Sequence, residues 1–75
     1  MELLIAVIQG YTDGFISLEK LENWYVPKLE ELVNNPKTVD IVAQLELGLA
    51  EFQDGLITEE ELKSDLKIMI RESLK

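Results

Sequence analysis

"DGFIS" at Asp13–Ser17 returns as "DGLIT" at Asp54–Thr58, and the reading of this pair decides the fold. Each copy has the chemistry of a sharp corner between two helices. Glycine can take the left-handed backbone that ends a helix. The following Ser or Thr can cap the next one by accepting a hydrogen bond from a free amide of its first turn. Thr58 with Glu61 completes a T-x-x-E capping box, hydroxyl to amide and carboxylate back to amide.

Outward from the corners, the two halves match over residues 3–34 and 44–75. Leu4, Asp13, Gly14, Ile16, Glu19, Leu21 and Glu31 meet Leu45, Asp54, Gly55, Ile57, Glu60, Leu62 and Glu72. Ile8, Tyr11, Ser17, Tyr25, Leu29 and Val33 meet Leu49, Phe52, Thr58, Leu66, Ile70 and Leu74. The apolar matches keep one helical phase, so each half reads as helix, D-G turn, helix. Two unrelated turns converging on common cap chemistry would give part of this match. The repeat also decides an ambiguity at "LLIAVI" (Leu3–Ile8), short and branched enough for a strand. Leu4, Val7, Ile8 and Tyr11 have helical spacing, and the counterpart segment is plainly helical.

In the second helix, Leu18, Leu21, Tyr25, Leu29 and Leu32 form the stripe. Pro27 lacks an amide hydrogen and crowds the carbonyl four residues back, which predicts a kink near Tyr25–Val26. "NNPKT" (Asn34–Thr38) separates the halves, with Asn35 or Thr38 as cap and Pro36 suited to a first helical position. The third helix carries Val39, Val42, Leu45, Leu49 and Phe52 on one face. Ile41 and Leu47 lie off that stripe, which predicts contact from a second side. Gly48 within it costs about 1 kcal/mol against alanine, and a close helix crossing would explain its presence. The fourth helix places Leu62, Leu66, Met69, Ile70 and Leu74 together. Glu59 and Glu60 stand at its positive end, and Lys63, Lys67, Arg71 and Lys75 lie in its later turns. Ile16 and Ile57, inside the corners, either reach the core or pair through their backbones.

The expected fold is therefore all-α: one domain, residues 1–75, in which two helix–DG-turn–helix hairpins form a small four-helix arrangement. Neither hairpin can bury its stripe alone. A chain of 75 residues buries only about 60% of its extended surface, and the stability expected is about 4–11 kcal/mol.

Composition excludes much chemistry. There is no cysteine and no histidine, hence no disulfide, no thiolate site and no imidazole base. No Ser-His or Cys-His pair and no glycine-rich phosphate loop occurs, so the chain reads as no enzyme and as needing no cofactor. Fifteen acidic residues against seven basic give a net charge of −8, which disfavours nucleic acid and anionic membranes as partners. Leu3–Ile8 is far too short to span a bilayer, which needs about 20 residues, and Glu2 argues against a leader peptide. A soluble, cytoplasmic protein is expected.

"DG-x-I-[ST]-x-x-E-L" resembles the second half of an EF-hand calcium loop, with Asp54 at its fifth position, Gly55 at the sixth, Ile57 at the eighth and Glu61 at the twelfth. Calcium requires six to eight oxygens, and the first and third positions should supply side-chain ligands. They fall on Ala50 and Phe52 in one copy and on Gln9 and Tyr11 in the other, where the twelfth position is Lys20. The corners thus read as architecture, and no metal is expected.

Tyr11, Asp13, Gly14, Ile16, Ser17, Glu19 and Trp24 form a pattern that resembles small acidic all-helical bacterial immunity and antitoxin-like proteins. That resemblance covers about a fifth of the chain, "GYTDGFISLEKLENW". It implies a protein that plugs the active site of a toxin. From the residues themselves, the acidic balance suits a basic protein partner. Glu19, Glu22, Glu30, Glu31, Asp40 and Glu51 would steer or mimic phosphates, and Trp24 and Tyr25 would anchor. Trp24 has a plainer role as the cap of a small core, and net acidity has one in solubility. The alternatives are a homodimeric structural or adaptor module, joined through the outer faces of the first and third helices, and a vestigial EF-hand-like regulator without calcium.

Overall fold

A positive backbone φ at two glycines, +87° at Gly14 and +77° at Gly55, sets the architecture. The computed structural model describes residues 2–73. Helix α1 (Glu2–Thr12) ends at Gly14 and α2 (Leu18–Tyr25) follows. A 3-10 turn (Val26–Lys28) leads into α3 (Leu29–Val33). Helix α4 (Val39–Gln53) ends at Gly55, and α5 (Glu59–Ser73) completes the fold. No strand occurs among the described residues.

The two corners are the same structure built twice. Gly14 N–H donates to Tyr11 O at 3.1 Å and Phe15 N–H to Gly10 O at 2.8 Å; Gly55 N–H donates to Phe52 O at 3.1 Å and Leu56 N–H to Glu51 O at 2.9 Å. This is the Schellman ending, in which glycine alone takes the left-handed step without strain. After it, Ser17 Oγ accepts from Lys20 N–H at 3.2 Å. The capping box forms in full: Glu61 N–H donates to Thr58 Oγ1 at 3.1 Å and Thr58 N–H to Glu61 Oε1 at 2.9 Å. Ile16 and Ile57 both pack on the core. Of the two routes open to them this is the one taken, since Ile16 N–H bonds back to Gly10 O.

Pro27 interrupts the second helix where its chemistry requires. The 3-10 turn absorbs the missing donor, with Pro27 near its start, and α3 resumes in phase. Leu18, Leu29 and Leu32 stay against the core on either side of it. The two α-helical pieces thus act as one bent helix, and the whole is the expected four-helix arrangement. Helix α1 packs on α2 and α5, and α4 packs on α3 and α5. The stripes of all four meet in one core: Leu4, Ile8 and Tyr11; Leu21 and Tyr25; Val42, Leu45 and Leu49; Leu62, Leu66 and Ile70. Gly48 lies at the α4–α5 crossing, where a Cβ would stand 3.0 Å from Leu62 Cδ1. The close approach inferred from that glycine is present.

Three expectations need correction. Pro36 is not a first helical residue; α4 begins at Val39. Instead Thr38 N–H donates to Asn35 O at 3.0 Å, closing a tight turn in which Pro36 takes the second place, where its fixed φ fits. Thr38 occupies the N-cap position without capping. Its buried hydroxyl donates to Leu32 O at 2.6 Å and so ties the end of α3 to the start of α4. Asn35 serves the turn, its Oδ1 accepting from Lys37 N–H at 2.9 Å. The off-stripe position of Leu47 predicts a second neighbour for it, as for Ile41. Ile41 is buried, but Leu47 is 62% exposed. Six residues of helix put the two on different faces. The expected places of Leu74 and Lys75 lie outside the described residues.

Candidate functional site

Five of the eight residues singled out for partner binding line three depressions. Glu19, in the first turn of α2, and the half-buried Glu22 line a shallow depression with Asn23, Val26 and Pro27. Trp24 and Glu31 border a second one with Leu3, Lys28 and Asn35, between α1 and the bent helix. Glu51 lines the α4–α5 groove with Gln44, Leu47 and Asp65. Glu30 is exposed at the start of α3 and Asp40 at the start of α4, apart from these depressions.

The aromatic residues serve structure first. Tyr25 is 5% exposed and belongs to the core. Burial, then the charges of Glu46 and Glu22, push its phenol up from the ordinary value. Trp24 is partly buried against the core, with Lys28 Nζ 4.9 Å from its ring centroid, a cation–π contact. Its outer face still borders the second depression.

Tyr11 makes a long-range side-chain bond. Its hydroxyl donates to Glu59 Oε2 at 2.9 Å, across the two hairpins. Lys63 Nζ lies 5.1 Å from the ring centroid. Glu59 and Lys63 are one turn apart on α5, so they hold Tyr11 between them. Burial first, then the bond to Glu59, then the charges of Glu59 and Glu22, push the Tyr11 phenol far up. The bond keeps the end of α1 close to the start of α5, and with them the two corners.

The surface carries many carboxylates. None of Glu19, Glu22, Glu30, Glu31, Asp40 and Glu51 has an ion-pair partner among the described residues. No set of three or more acidic side chains among those residues is placed to hold a metal ion. No described helix is long and apolar enough to cross a membrane.

Sequence reasoning passed over Phe15 and Leu56. They are the most exposed large apolar side chains among the described residues, at 83% and 71%. A signal was there: the repeat aligns the two with each other, one place beyond each glycine. In class the molecule is an all-α module of two helix–DG-corner–helix hairpins with an acidic surface. The chain matches no protein family, no curated protein and no solved structure.

Proposed function

We propose that this is a small acidic binding protein that neutralises a basic protein partner, in the manner of an immunity or antitoxin-like inhibitor in the cytoplasm. The supporting observation is the free acidity of the surface. Among the described residues the six carboxylates named above have no ion-pair partner, so their charge is available to a ligand. Unpaired surface carboxylates steer a basic partner by long-range attraction and speed association. Trp24, half-buried and bordered by Glu31, adds an apolar contact next to that charge.

The test is affinity capture from an extract of the host cell at low salt. The reading expects a basic protein that elutes as salt rises and is no longer captured when Glu19, Glu22, Glu30, Glu31, Asp40 and Glu51 are changed to their amides. Capture indifferent to salt and to those changes would refute it.

A homodimeric adaptor is the second reading. Leu3 on α1 and Leu47 on α4, 61% and 62% exposed, favour it because they stand on the outer faces such a dimer would use. Sedimentation showing a monomer at micromolar concentration removes it.

A further inference from the structure

The residue that follows the left-handed glycine of a Schellman ending ordinarily packs back on the helix it leaves, against the residue that accepts its amide bond or the one before it. In this protein it does so at neither corner. The acceptors are Gly10 for Phe15 and Glu51 for Leu56, and the residues before them are Gln9 and Ala50. None of the four offers a large apolar side chain. Both corner residues instead stand in solvent. The backbone bonds they make need only an amide, so nothing in the fold requires a phenylalanine or a leucine there. The same unneeded exposure occurs twice, at positions related by the repeat.

Charge around the corners narrows what could cover them. Asp13 and Glu19 flank Phe15; Glu51, Asp54, Glu59, Glu60 and Glu61 flank Leu56. No Lys or Arg occurs from Thr38 to Leu62. Of the nearest bases, Lys63 lies over Tyr11 and Lys20 is exposed. A second copy presenting the same surface would set carboxylate against carboxylate. A basic surface with apolar pockets is complementary in both respects.

We propose that Phe15 and Leu56 are twin anchors that enter apolar pockets on a basic protein partner, while the corner carboxylates meet the bases around those pockets. This rests on the acidic-binder reading and assigns its docking surface. Hot spots of this kind are single large side chains surrounded by weaker polar contacts.

Two synthetic peptides of equal charge test it: an amphipathic helix of leucine and lysine, and its counterpart with serine for leucine. Each is titrated into the ¹⁵N-labelled protein at low salt, as wild type and as the Phe15→Ser/Leu56→Ser double variant. Both positions are exposed, so an unchanged melting temperature certifies the variant's fold. The leucine peptide should shift the amides of residues 13–19 and 54–61, and bind wild type about tenfold or more tighter than the serine peptide does, the gain expected of one buried leucine. The double variant should bind both peptides equally. If the double variant holds the leucine peptide as tightly as wild type, or the shifts fall elsewhere, the anchors are wrong and the acidic-binder reading stands. If neither peptide binds at low salt, both fall. A wild-type dimer in sedimentation that the double variant abolishes would make the occupant a second copy and overturn the proposal.

Discussion

At Gly55 an added Cβ would meet nothing within 4 Å, and the same holds at Gly14. The cost of a side chain there is therefore that of the left-handed backbone alone, about 1–2 kcal/mol for an L-residue. Gly55→Ala and Gly14→Ala should each lower unfolding stability by that amount in urea titrations, while D-alanine at either site should cost nothing. Equal losses for both hands of alanine would mean that crowding, and not φ, is the constraint. Tyr11 gives a pH signature. Buried and bonded to Glu59, it keeps its proton in the native state at pH values where the unfolded chain, titrating near 10, releases it. Its contribution is complete below about pH 10 and is lost as pH rises through the folded value. Tyr25 acts with the same sign. Stability should fall above about pH 10, and Tyr11→Phe should make that fall shallower. Identical slopes for the two proteins would contradict the assignment.

Among the elements, α4 and α5 approach closely where Gly48 meets Leu62. Alanine at position 48 would gain about 1 kcal/mol of helix propensity. Its Cβ would also stand 3.0 Å from Leu62 Cδ1, on a side chain fully buried in the core that would have to give by a few tenths of an ångström. Gly48→Ala should therefore destabilise in spite of propensity, and a gain in melting temperature would show that the helices can separate. This glycine was legible in the sequence because its residue type is anomalous for its helix. So were the bend at Pro27 and both corners, since each follows from the local chemistry of one or two residues. Thr38 was not legible in the same way. Its hydroxyl serves Leu32 O, six residues back, and that partner exists only once α3 has met α4. Leu47 misled because an apolar residue off the stripe can mean a second contact or a free side chain, and sequence does not separate the two.

For the whole molecule, the repeat made the architecture readable, since two like hairpins can hide their stripes only against each other. The candidate site was less readable. Abundant carboxylates do not reveal which of them share a face, and the structure spreads the six over separate regions. The aromatic type of Tyr25 suits an anchor as well as a core residue; burial assigns it to the core. With a net charge of −8 and unpaired carboxylates, repulsion acts against the folded state. Screening becomes effective at separations beyond about 10 Å near 0.1 M salt. The melting temperature should therefore rise between low salt and that concentration. A fall would mean that attractive pairs hold the fold together.

Nuclear Overhauser contacts in the isotope-labelled protein test the paired-hairpin architecture most directly. The account predicts contacts from Gly48 Hα to a Leu62 methyl and from the Tyr11 ring to the Lys63 side chain, with helical shifts through residues 3–12. Extended-strand shifts at residues 3–8, or no contact between residues 2–33 and residues 39–73, would contradict it.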